Sequence, residues 1–142
     1  MKKKMTTKEY TAKMEELRLL HYRMWDWLSK NPGKRKYEWA EWARNGGALN
    51  RVSGWCFACV ACEMTETHQN LCDLTCRITC PIKDWGEGTT NCMSDTSLFH
   101  IWQHHTNQVD NPHNTIKESA STKARCTEVA ESIRDAWKKG AK

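Results

Sequence analysis

Apolar residues recur at helical spacing near the start of the chain, at Tyr10, Met14, Leu17, His21, Met24 and Leu28. Thr6 followed three residues later by Glu9 has the form of a capping box, so a helix is expected over 7–30. Asn31-Pro32-Gly33 ends it, because the residue before a proline is pushed out of the α region and glycine readily turns the chain. Trp39, Trp42 and Ala43 share one face of a second, shorter helix expected from Lys36 to Arg44, with Asn45-Gly46-Gly47 as its stop. Residues 7–47 are therefore expected to form a helical hairpin. A third helix is expected from Ser94 or Asp95, with Leu98, Ile101, Trp102 and His105 on one face. The last, over about 115–139, carries a stripe of Ile116, Ala120, Cys126, Val129, Ala130, Ile133 and Trp137. Between 48 and 93 the helical period disappears, and short segments around cysteines lead into a turn-rich stretch at Gly86 and Gly88. The pattern predicts one mainly α domain over 1–142, with an irregular Cys-rich zinc-knuckle segment at 48–93, room there for a short β-hairpin, and C-terminal helices over 94–139.

Composition sharpens this picture. The 142 residues suit a single domain, yet Leu, Ile, Val and Phe together number only 19, too few for an aliphatic core. Eight Trp and eight Cys must supply what Leu and Val do not. No run of about 18 apolar residues exists and mean hydropathy is −0.81, so no membrane span is expected. The opening MKKKMTTKEY lacks the apolar stretch of a secretory signal, which points to the cytoplasm, where thiols stay reduced and clustered cysteines favour metal over disulfides. Charge is divided as +6 over 1–44, −4 over 45–115 and +3 over 116–142, so seven of the eight cysteines lie in the acidic middle.

Two overlapping registers of cysteine fit a four-thiolate zinc site. One is Cys56-x2-Cys59 with Cys72-x3-Cys76, the other Cys59-x2-Cys62 with Cys76-x3-Cys80. Either shell is closed, so the metal would be structural and not catalytic.

His21-x2-Met24-Trp25-x-Trp27-Leu28, Asn31-Pro32-Gly33-Lys34, Glu38-Trp39-x2-Trp42, Cys56-Phe57-Ala58-Cys59, Cys80-Pro81-Ile82-x2-Trp85, Cys92 and Ser97-x4-Trp102 together resemble a type of small Cys- and Trp-rich accessory protein encoded by phages. The resemblance spans about residues 21–105 and names no chemistry. It implies Cys56, Cys59, Cys80 and a cysteine just before it, here Cys76, as zinc ligands, with Cys92 in reserve. The chain departs from the pattern in its Cys76-x3-Cys80 spacing and in the additional Cys62 and Cys72.

Other residues carry weaker signals. His100 and His104 stand four apart on the expected third helix and could complete a Cys2His2 shell with Cys76 and Cys80, although such pairs are common on solvated faces. His104-His105 with Asn107, Asn111 and His113 superficially matches an HNH-like nuclease, but that chemistry needs a metal-bearing hairpin feeding a helix. Cys126 lies alone on an apolar stripe, which suits packing. Lys34, Arg35, Lys36 and Arg44 surround Tyr37, Trp39 and Trp42, a mixture of cations and rings that can take a phosphate and stack on a base.

The expectation that follows is a non-enzymatic, zinc-stabilised accessory protein that works in the host cytoplasm by binding a host or defence protein. The alternative is a basic module for nucleic acid or a nucleotide signal. A nuclease is the remote third.

Overall fold

The computed structural model describes residues 6–42, 57, 61, 81–82, 85–86 and 97–138. Over these residues the protein is mainly helical, and no strand occurs among them. Among the described residues three α-helices make the frame: α1 (Thr7–Lys30), α2 (Leu98–Gln108) and α3 (Ile116–Ala136). The expected Cys-rich knuckle and hairpin fall almost wholly outside the described residues.

Helix α1 begins where the sequence pattern places it. The Thr6 hydroxyl accepts the Glu9 amide at 3.1 Å and the Glu9 carboxylate accepts the Thr6 amide at 3.2 Å, which satisfies two otherwise orphaned donors. At its far end the Asn31 side chain donates to the Trp27 carbonyl at 2.8 Å, and Gly33 turns the chain with φ +96°. That conformation strains any residue with a Cβ, and a Cβ at Gly33 would stand 2.8 Å from Val109 Cγ1. The turn after α1 is thereby pressed against the end of α2.

A 3₁₀ turn at Lys36–Glu38 occupies the start of the expected second helix. Its amides bond three residues back, Glu38 to Arg35 and Trp39 to Lys36, and Trp39 then leaves the helical region at φ −68°, ψ 126°. The face of Trp39 and Trp42 is nevertheless buried, because the next turn, closed by Trp42 bonding back to Trp39, keeps both indoles inward.

Helices α1 and α3 run antiparallel, since His21 meets Ile133 while Ser29 meets Thr127, whose hydroxyl donates to the Ser29 carbonyl at 2.8 Å. Helix α2 also packs on α3. Its N-cap is Ser97, whose hydroxyl accepts the His100 amide, so it starts two to three residues later than expected. The Leu98 amide donates to the Trp85 carbonyl at 2.7 Å, tying the stretch after Cys80 to the start of α2.

Aromatic rings dominate the core. Trp25 meets Trp102 edge-on at 4.9 Å, Phe99 stacks on Trp102 at 6.1 Å, and Phe57 lies between Trp39 and Trp42 at 6.2 and 6.0 Å. Such pairs contribute about 0.5–1.5 kcal/mol each beyond the area they bury, which offsets the shortage of aliphatic side chains.

The stripe of α3 is core for only half its length. Cys126, Val129, Ala130, Ile133 and, just past its end, Trp137 are buried, but Ile116 is 92% exposed and Ala120 is also exposed. Thr106, near the end of α2, lies against Cys126, and the turns of α3 before Cys126 present Lys117, Glu118, Ser121 and Thr122 to the end of α2. An apolar stripe gains nothing where no apolar surface stands opposite.

Candidate functional site

The expected zinc ligands Cys56, Cys59, Cys76 and Cys80 lie outside the described residues, as do Cys62, Cys72 and Cys92. Their neighbours do not. Phe57, Ala61, Pro81, Ile82 and Trp85 are all buried, and four of them belong to the same apolar cluster as α1 and α3. The Trp42 and Trp85 indole N–H groups are buried with no acceptor among the described residues.

The basic turn is less uniformly exposed than its sequence implies. Lys34 is exposed and lies 3.9 Å from Glu38, while the Arg35 amide is held by the Glu38 carboxylate at 2.6 Å. Lys36 is the correction. It is only 4% exposed, with its ammonium 4.3 Å from the centroid of the Phe99 ring. The 3₁₀ turn points Lys36 inward, and the aliphatic stem with a cation–π contact makes that burial tolerable. Lys36 therefore does not project with Lys34 toward a polyanion. Trp39 and Trp42 are in the core, and the ring left at the surface of the turn is Tyr37, 55% exposed. Arg44 lies outside the described residues.

The histidines divide into separate environments. His100 Nδ1 is 3.3 Å from the Ser97 hydroxyl at the start of α2. His104 and His105 meet near its end, with ring centroids 5.4 Å apart. They border a shallow groove of about 470 Å³ against the first turns of α3, lined also by Asn114, Lys117, Ser121 and Thr122. Burial, then the neighbouring His104 and Arg125, lowers the His105 pKa. No group of three His, Cys, Asp or Glu side chains among the described residues is placed to hold a metal ion, so His100 and His104 find no third ligand there. His113 is exposed, its amide donating to Asn111 in the turn between α2 and α3, and only His104 and His105 of the nuclease-like set have rings in contact.

Cys126 is fully buried, 3.8 Å from the Thr106 hydroxyl. Burial pushes its thiol pKa up, which keeps it protonated and unreactive at neutral pH.

The sequence places His21 on the apolar stripe of α1 and in the motif that carries the resemblance, with no role of its own. The structure makes it the joint between α1 and the end of α3, 1% exposed and hydrogen-bonded to the Ile133 carbonyl at 2.8 Å. The groove residues Lys117, Ser121 and Thr122 carried no sequence signal, because only the packing of α3 beside α2 groups them. Compared with known protein families, with curated proteins and with solved structures, the chain matches none.

Proposed function

We propose that this protein is a zinc-stabilised accessory protein of phage type that works by binding a host or defence protein and carries out no chemistry of its own. The observation that carries the choice of partner is the burial of Lys36, Trp39 and Trp42. It removes from the basic turn one of its three neighbouring cations and both indoles on which bases would stack. The phage assignment rests on the sequence motifs alone.

Zinc is proposed on chemical fit. Cys56, Cys59, Cys76 and Cys80 would hold the ion as thiolates, closing its shell and fixing the segment to the core. The buried residues that flank these cysteines in sequence support such an anchor.

Affinity capture from infected cells, repeated at low and high salt, tests the partner class. A protein partner docked through an aromatic-centred interface stays bound as salt rises, while phosphate contacts weaken steeply. Recovery of nucleic acid or nucleotide that is lost with salt, with no protein retained, would overturn the proposal. It would favour the second reading, for which Lys34, Arg35 and the exposed Tyr37 remain as a cation and ring set.

A further inference from the structure

His21 is a titratable group sealed inside the core. Its Nε2–H donates to the Ile133 carbonyl at 2.8 Å, which fixes the proton on that nitrogen. Nδ1 is therefore the unprotonated nitrogen, and it is buried with no hydrogen-bond partner among the described residues. The ring stands beside two indoles, Trp25 on α1 at 6.4 Å and 52° and Trp137 beyond α3 at 5.4 Å and 57°. Neither indole has a lone pair to accept a proton from Nδ1.

We propose that His21 is an acid-sensitive latch that holds the last turns of α3 on α1 and releases them when Nδ1 takes a proton from solvent. The neutral ring serves as one strong donor in an apolar slot. The imidazolium would place a second N–H and a full charge in that slot, where no described residue receives either. The surroundings oppose the charge as well. Burial is the largest influence, the Ile133 and Arg134 backbone partly counters it, and the Lys36 ammonium and Arg18 guanidinium both act as like charges. The Arg134 guanidinium is turned away, toward Asp26 at 2.9 Å and Asp135 at 3.0 Å. Together these hold the His21 pKa down at about 4, against an ordinary value of 6.5.

The sign follows from that depression. The unfolded chain takes up this proton as pH falls through 6.5, whereas the folded chain resists until about 4. Stability is complete above pH 6.5 and is lost progressively as pH falls through the window between the two values. Across pH 7 to pH 5 the folding equilibrium constant should drop roughly twentyfold from this residue alone.

Denaturant unfolding at pH 7 and pH 5 tests the latch, with His21→Gln as the comparison because the Gln amide can reach the Ile133 carbonyl and does not titrate. The wild type should lose about twentyfold in folding constant, and His21→Gln should lose far less. An equal pH dependence in the two proteins overturns the proposal. Should His21→Gln fail to fold, the imidazole resonances of the wild-type protein decide the question. A His21 signal unchanged down to pH 5 supports the latch, and one titrating near 6.5 in the folded protein overturns it. Hydrogen exchange locates the release: faster opening at pH 5 concentrated in residues 129–137 is expected, and opening spread evenly over all three helices counts against a local latch.

Discussion

Gly33→Ala isolates the contact that sets the basic turn against the end of α2. Two costs arise together. The backbone sits at φ +96°, where a side chain is strained by about 1–3 kcal/mol. The new methyl would also stand 2.8 Å from Val109 Cγ1 and 3.3 Å from Val109 Cβ, and forcing an extra carbon into packed surroundings costs about 1–3 kcal/mol. The expected loss is about 2–6 kcal/mol, a large share of the 5–15 kcal/mol that holds an ordinary domain together. Val109→Ala separates the terms, because it removes the methyls that clash but leaves the backbone conformation untouched. Alone it should destabilise by about 1–3 kcal/mol, as lost methyl groups in a core do. Combined with Gly33→Ala it should recover the clash, so the double variant is more stable than the sum of the single changes predicts by about 1–3 kcal/mol. Denaturant unfolding of all four proteins at constant pH and zinc gives the cycle. Additivity within about 0.5 kcal/mol would refute the close approach of Gly33 to Val109.

Purified protein is expected to contain tightly bound zinc and to lose helicity on chelation, because metal binding in small cores of this kind supplies about 10 kcal/mol or more of folding free energy; a folded, reduced, metal-free sample by elemental analysis would exclude it. Within that claim Cys59→Ser should lower the melting temperature more than Cys126→Ala, since Cys59 belongs to both candidate registers and Cys126 only packs; equal midpoints would contradict the assignment. Lys36→Glu should destabilise by about 2 kcal/mol or more by setting a carboxylate against the Phe99 ring, while the exposed Lys34→Glu should stay within about 1 kcal/mol, a contrast that thermal unfolding reads directly. If nucleic acid is a ligand after all, Lys34→Glu with Arg35→Glu should weaken low-salt binding to single strands without altering helix content, and unchanged affinity would remove the turn as the site.

Helix α1 was readable from one end to the other, since its start depends on Thr6 and Glu9 three residues apart and its stop on Asn31-Pro32-Gly33. These are local effects, settled by bonds and dihedral limits within a few residues. That Trp must build the core was also readable, because a chain with so few aliphatic residues has little else, and Trp25, Trp39, Trp42, Trp85 and Trp102 are buried. The candidate zinc ligands Cys56, Cys59, Cys76 and Cys80 came from cysteine spacing together with the motif resemblance, and they lie outside the described residues.

Tertiary structure decided what local pattern leaves open. The basic run Lys34, Arg35, Lys36 carries no mark that its last member turns inward; that required the Phe99 face, brought from more than sixty residues away, to lie beside its ammonium. Ile116 and Ala120 continue the stripe of α3 in sequence, yet a stripe states which face is apolar and not whether an apolar surface stands across from it. Ile116 is 92% exposed and Ala120 is exposed as well, so no described segment covers them. His21 occupies an ordinary stripe position in α1, and it becomes a sealed, proton-resisting group only because the antiparallel packing of α3 sets the Ile133 carbonyl against one ring nitrogen and Trp137 against the ring. Spacing along a chain determines which residues can share a face, but burial and pKa depend on what other segments bring to that face, and that information is stored in no single stretch of sequence.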